Sequence, residues 1–214
     1  LAALGVSFSY IRGKPLLCDW SYEFHEGTVT ALTGPSGCGK STLLYLLGLL
    51  LRPSAGDVSL RGYSQSSLSD RERSARRASD VGFVFQDAAL DASRTVMANV
   101  LETALYRGRP RRREEPRARE LLDRFGVAVS PRARPGQVSG GQAQRIALCR
   151  ALLARPSVIL ADEPTGNLDQ ETGAMVLRAL RSHAEEGGCV VVVTHDPVVA
   201  SGCDHVIEMD GPAW

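Results

Sequence analysis

The sequence predicts an α/β fold built on a mainly parallel sheet, and three observations carry that prediction. Ser157–Asp162 and Cys189–Thr194 are uninterrupted apolar runs. Gln170–Ala184 lies between them with helical spacing, which makes a strand–helix–strand unit. Strands apolar along their whole length are covered on both faces, as parallel strands joined by a crossover helix are. Thr28–Thr33 then runs directly into the glycine-rich segment Gly34–Ser41, and an apolar helical stretch follows.

The elements follow in order. Residues 1–33 read as short strands and form an antiparallel N-terminal part. Trp20, Tyr22 and Phe24 alternate there with Ser21, Glu23 and His25, the period of a half-buried strand. Glu26-Gly27 is a turn and Thr28–Thr33 a second strand. Ser41–Leu51 is predicted helical, ending before Pro53. Ser64–Ala78, polar and charged, reads as loop and short helix, and Val81–Phe85 as a short strand. Residues 88–136 are rich in Arg, Ala and Leu and read as a helical insertion. A helix with Ile146, Cys149 and Leu153 on one face runs from Gly141 to about Arg155, where Pro156 ends it. Val206–Met209 is the last strand. The division expected is a core of residues 1–86 and 157–214 with a helical arm at about 87–156.

At 214 residues the chain can bury roughly 70% of its unfolded surface, so one domain needs no disulfide or structural metal. The net charge of +1 argues against a dedicated nucleic-acid binder. The five cysteines are odd in number and contain no CxxC pair, which suits a reducing compartment. The longest apolar stretch, Thr42–Leu51, is about half of a membrane span. Leu1 stands where an initiator Met is expected and opens a strand-like segment, so no leader and a trimmed start are expected, as is a short tail beyond Trp214. These readings predict a soluble intracellular chain that meets a membrane only through a partner.

Gly34-Pro35-Ser36-Gly37-Cys38-Gly39-Lys40-Ser41 fits GxxxxGK[ST]. Glycines let successive N–H groups point inward onto phosphate oxygens, and the following helix adds the positive end of its dipole. Lys40 can reach β- and γ-phosphates, and Ser41 can ligate Mg²⁺. Val158–Glu163 is an apolar strand ending in two carboxylates, at the edge where open α/β sheets bind ligands. Asp162 suits Mg²⁺, and Glu163 suits a general base for water. A pair of carboxylates capping the next turn is the plainer reading of the same residues.

Three further segments complete a pattern: Gln86 after its strand, Val138-Ser139-Gly140-Gly141-Gln142, and His195 after four valines and Thr194. With Gly34–Thr42 and Asp162–Glu163 they resemble the nucleotide-binding subunit of ABC transporters over essentially the whole chain, which implies a P-loop NTPase core. Asp162–Asp169 and Gly82–Gln86 resemble a narrower group, the ATPases of lipoprotein-release, macrolide-efflux, antimicrobial-peptide and cell-division complexes. The resemblance implies Mg²⁺-dependent ATP hydrolysis and a head-to-tail dimer, with itself or a closely related ATPase subunit. In that dimer the P-loop of one subunit faces Ser139–Gln142 of the other. It implies that Tyr10 stacks on adenine, Gln86 bridges Mg²⁺ and the attacking water, and His195 contacts the γ-phosphate. The partner implied is an integral membrane permease, coupled through residues 87–106, with the chain peripheral on the cytoplasmic face of the membrane and no nucleic acid expected.

Local alternatives stand beside these roles. Ser139 and Gln142 fit a capping box for their own helix, and Asn167 or Asp169 fits a cap for the helix near Gln170. Val138 departs mildly from the family's usual Leu, and oxidation of Cys38 would block phosphate. Arg107–Arg119 carries seven arginines against Glu114 and Glu115, which reads as a solvated helix start with local ion pairs, Pro110 and Pro116 marking an exposed connection. The rival class is a soluble ABC ATPase acting on DNA or ribosomes. A single ATPase domain without a heptad run disfavours it, and intact Glu163 and His195 disfavour a module that binds without hydrolysing.

Overall fold

The computed structural model describes residues 1–211; Trp214 and the expected tail lie outside the described residues. In chain order the elements are β1 (Ala2–Phe8), β2 (Leu17–Glu23), β3 (Val29–Thr33), α1 (Lys40–Leu47), β4 (Ala55–Leu60), β5 (Tyr63–Ser64), α2 (Asp70–Asp80), β6 (Val81–Val84), α3 (Val96–Val100), α4 (Glu102–Tyr106), α5 (Arg111–Arg124), α6 (Gly140–Leu153), β7 (Val158–Asp162), α7 (Gln170–Glu185), β8 (Cys189–Val193), α8 (Pro197–Ser201) and β9 (His205–Glu208). They form an antiparallel sheet ordered β2-β1-β4-β5 and a parallel sheet ordered β6-β7-β8-β3-β9.

The parallel sheet separates two apolar cores because successive side chains of a strand face opposite ways. Ile159, Ala161, Val190 and Val192 join one core, with Ile146, Leu148 and Val176 from the helices. Leu160, Val191 and Val193 join the other, with Leu43, Leu44 and Leu47 of α1 and with Val6 and Phe24 of the N-terminal sheet. The aromatic alternation in β2 is realised: Phe24 is buried, Trp20 and Tyr22 half-buried, and Ser21, Glu23 and His25 exposed.

Several sequence expectations need correction. The helix after the glycine-rich loop stops at Leu47 rather than Leu51, because Gly48 ends it and Leu49 turns to φ 60°. A Cβ on Gly48 would lie 2.0 Å from Phe83 Cζ and 2.9 Å from Leu160 Cδ1, so the helix end and β6 meet where only glycine fits. Strands β4 and β5 carried no recognised signal, since only Val58 and Leu60 of β4 are buried and apolar. Helix α6 begins at Gly140, and it is buried nearly all round from Ile146 to Leu153 rather than along one face. Pro116 lies inside α5 and not in a connection; it is exposed, so the carbonyl it leaves unpaired faces water. The ion pairs expected there form between Arg109 and Glu114 (3.3 Å) and between Arg119 and Glu115 (2.6 Å).

Gly48→Ala should therefore destabilise the chain by about 1–3 kcal/mol, the usual range for overpacking a filled site, read as a lowered urea midpoint. An unchanged midpoint would mean that Phe83 moves aside freely.

Candidate functional site

The carboxyl edge of the parallel sheet gathers the residues that the sequence singles out. Gly34–Ser41 leaves β3, Asp162 ends β7 with Glu163 next to it, and His195 follows β8. Gly34, Lys40, Ser41, Gln86, Glu163 and His195 share the lining of one cleft of about 440 Å³, with Asp162 beside them.

The glycine-rich loop is built around its own lysine. Lys40 Nζ donates to the carbonyls of Gly34 and Pro35, each at 2.8 Å, and lies 3.6 Å from Cys38 Sγ. Gly34 has φ +132°, and a Cβ there would sit 2.3 Å from the Met209 carbonyl, so no side chain is admitted. Gly39 is the N-cap of α1 and offers no side-chain cap to the first-turn amides. Uncapped amides at a helix start are donors that await an anion. The loop therefore fits phosphate oxygens on its backbone, with the Lys40 ammonium beside them.

Asp162 accepts from Ser41 Oγ (3.2 Å) and from Tyr45 OH (3.5 Å). Burial lifts its carboxyl above the usual carboxylate range; the Ser41 hydrogen bond opposes this, and the charge of Glu163 adds to it. Two hard oxygen ligands already side by side, one reluctant to hold charge alone, fit Mg²⁺ in the manner of a hydroxyl–carboxylate site. Glu163 sits at φ 45°, an unfavourable conformation for a residue with a side chain, while its amide continues the ladder to the Val193 carbonyl at 2.9 Å. Its carboxylate receives Thr194 Oγ1 at 3.4 Å and meets His195 Nδ1 at 2.8 Å. The His195 ring is otherwise exposed.

Other predicted residues lie outside the cleft lining. Tyr10 is exposed, packs edge-on to Phe8 at 4.8 Å, and its hydroxyl is 3.2 Å from Thr42 Oγ1, beside the loop. Ser139 and Gln142 form the capping box of α6, with Gln142 N on Ser139 Oγ at 3.2 Å and Ser139 N on Gln142 Oε1 at 2.9 Å. Gly140 and Gly141 open that helix, and Gly141 faces the side chains of Thr172 and Asp169. Asp169 caps α7 through the Thr172 amide at 2.9 Å. A single chain thus leaves Ser139–Gln142 away from Lys40.

Three residues escaped sequence reasoning. Tyr45 reaches Asp162 from within α1. Gln144, buried in α6, donates to the carbonyls of Phe85 (2.8 Å) and Pro164 (3.3 Å), bracketing Gln86 and Glu163. Arg150 donates to the carbonyls of Ala89 (2.8 Å) and Ala88 (2.9 Å). The available signal was a polar residue at a buried position of an otherwise apolar helix.

The hydrogen bond and then the charge of Glu163 raise the His195 pKa above the ordinary imidazole value. The sign follows: His195 stays protonated to higher pH than free imidazole, and the charged pair is lost as pH climbs through that raised value. Glu163→Gln should lower the His195 pKa toward the ordinary value in an NMR titration. An identical titration in both proteins would mean that the pair does not persist in solution.

Comparison with known proteins bears on this arrangement. The ABC transporter family profile matches residues 17–166. The chain is 43% identical over 196 residues to the lipoprotein-releasing system ATP-binding protein LolD of Bordetella pertussis, covering 91% of this chain and 85% of that protein. It is 43% identical over 208 residues to the macrolide export ATP-binding/permease protein MacB 1/2 of Paracoccus denitrificans; this covers 96% of the chain but spans only 31% of that protein's length. Among solved structures, the dimeric bacterial ABC transporter cassette MJ0796 superposes with a TM-score of 0.89 at 34% identity, covering 98% of this chain and 94% of that one. A post-hydrolysis MJ0796 dimer bound to ADP and Pi superposes at 0.86 with 31% identity, covering 100% and 97%.

Proposed function

The chain belongs to the ABC transporter family, and from that premise we propose that it is the ATP-hydrolysing subunit of a transport complex, acting as a dimer on a separate membrane permease. The observation that carries this reading is the single cleft that joins Lys40, Ser41, Gln86, Glu163 and His195. In this reading residues 1–86 and 157–214 are the nucleotide-binding core, and about 87–156 the arm that addresses the partner.

Each side chain has a defined task. The backbone of Gly34–Thr42, including Pro35, Ser36, Gly37, Cys38 and Gly39, cradles the phosphates, and Lys40 exchanges its loop carbonyls for β- and γ-phosphate oxygens. Ser41, Asp162 and Gln86 hold Mg²⁺, which neutralises phosphate charge when bound. Glu163 takes the proton of the attacking water, and His195 holds Glu163 and the γ-phosphate in register. Tyr10, exposed beside Thr42, offers a ring face to adenine. Ser139, Gly140, Gly141 and Gln142 do not line their own chain's cleft, and head-to-tail pairing supplies them to the partner's nucleotide. The LolD protein is described as part of a lipoprotein-releasing system and MacB as a macrolide exporter, which favours export or extraction from the membrane.

Among the described residues no helix is long and apolar enough to cross a membrane, so the membrane contact needs a docking surface. A groove of about 430 Å³ beside Gln86 is a suitable one: Phe83, Phe85, Leu50 and Tyr106 line it, the last two exposed. We assign it to a short helix of the permease at the cytoplasmic face, with Gln144 and Arg150 tying its walls to the strand leading to Gln86.

The deciding experiment is capture from native membranes with Glu163→Gln and ATP, which should hold the closed dimer and retain a polytopic membrane protein. Recovery of only ribosomes, DNA or soluble proteins from properly solubilised membranes would support the soluble class instead. In turnover assays Glu163→Gln should bind ATP yet hydrolyse it at least about a hundredfold more slowly, the range for loss of a general base. Near-normal turnover would remove Glu163 from that role. Lys40→Ala should weaken ATP binding itself, measured by equilibrium titration; unchanged affinity would contradict the phosphate-site assignment.

A further inference from the structure

The loops that precede β3, β7 and β8 meet at the amino edge of the parallel sheet, opposite the nucleotide cleft. They border a cavity of about 650 Å³. Arg61, Arg117, Arg124 and Arg155 line it, against two carboxylates, Glu26 and Glu186. Arg61 is paired with Asp80 at 3.5 Å. Among the described residues, Arg117, Arg124 and Arg155 form no ion pair. Arg124 has only the Ser182 hydroxyl, at 3.5 Å, and the face of Phe125. The Nε of Arg117 and the Nε2 of His183 are buried without a hydrogen-bond partner among the described residues.

A structural explanation accounts for part of this. Helices α6 and α7 end at the cavity, and cations are favoured at helix carboxyl ends. That assigns a cation to each helix end. It does not explain why Arg117, which comes from the middle of α5, buries an unpaired N–H there. Burial, and then the charge of Arg155, pulls Arg117 below the usual arginine range, against the pull of Glu120, Glu186 and Glu114. A buried donor left without a partner costs stability unless an anion relieves it.

We propose that this cavity is a second anion site, built for a small phosphoryl-bearing molecule held by Arg117, Arg124 and Arg155. Guanidinium forks match phosphate oxygens two at a time, and all three of these arginines line the one cavity. The concave shape selects the size of the occupant. Leu121, Leu152 and Ala179 wall the cavity, and the Arg117 Nε lies beneath the surface. Arg124 and Arg155 are exposed at its mouth, so contact with all three arginines is expected of a small anion that enters the cavity and not of a duplex or bilayer lying across it. The site is independent of the nucleotide cleft and does not rest on the transport reading.

The test uses the wild-type chain with its nucleotide cleft saturated by Mg²⁺ and a non-hydrolysable ATP analogue, titrated calorimetrically with inorganic phosphate at low salt. Binding tighter than about 1 mM is expected, weakened at least about tenfold in Arg117→Gln/Arg155→Gln, whose ATPase activity serves as the folding control. Should that variant fail to fold, wild-type crystals soaked in selenate supply the second measurement, with anomalous scattering expected between Arg117 and Arg155. Equal binding by wild type and variant, or no selenium in the cavity, overturns the proposal. So does binding of a duplex oligonucleotide or an anionic vesicle through these arginines without binding of phosphate.

Discussion

Everything in this molecule depends on a sheet that is apolar on both faces. Strands β7, β8 and β3 carry no polar side to turn toward water, so helices must cover them on one side and α1 with the antiparallel sheet on the other. Once both faces are sealed, polar chemistry can gather only at the strand ends. Asp162, Glu163, Thr194, His195 and Gly34 all stand just past such ends, and this is why residues far apart in the chain share one cleft. The sheet also fixes their relative heights, because the parallel register pairs Asp162 with Val193 and Leu32 with Val193 in adjacent rows.

Helix α6 is joined to the segments that follow β6 and β7 by polar contacts and not by packing alone. Gln144 is a single buried side chain that donates to the carbonyls of Phe85 and Pro164, next to Gln86 and Glu163. Arg150 does the same for the turn at Ala88 and Ala89. Buried groups of this kind cannot be released without cost. A displacement of α6 therefore carries the backbone around Gln86 with it, which links the groove lined by Phe83 and Tyr106 to the nucleotide cleft through a few hydrogen bonds.

What could be read in the sequence was chemistry that demands residue types in an unbroken run. Gly34–Ser41 needs glycines, Lys and Ser at fixed steps, and the apolar strands ending in Asp162-Glu163 and Thr194-His195 announce themselves in the same way. What could not be read depends on partners distant in the chain. Strand β4 is held by β1 and is nearly silent in its own pattern. Helix α1 stops at Leu47 because Phe83 fills the space beyond Gly48, a fact visible only in three dimensions. The all-round burial of α6 and the reach of Tyr45, Gln144 and Arg150 are likewise properties of the packed molecule. Ser139 lay between: its capping box was legible, and a role toward a second chain came only from resemblance.

The lysine bonded to its own loop has a consequence for how quickly and how tightly this cleft can fill. Because Lys40 already holds the carbonyls of Gly34 and Pro35, the loop is pre-organised without a ligand, and its ordering entropy is spent during folding and not at each encounter. In the proposed role the Lys40 ammonium would exchange two neutral carbonyls for charged phosphate oxygens, which are the stronger acceptors. A loop ordered in advance can receive an anion without the cost of ordering its backbone at each encounter.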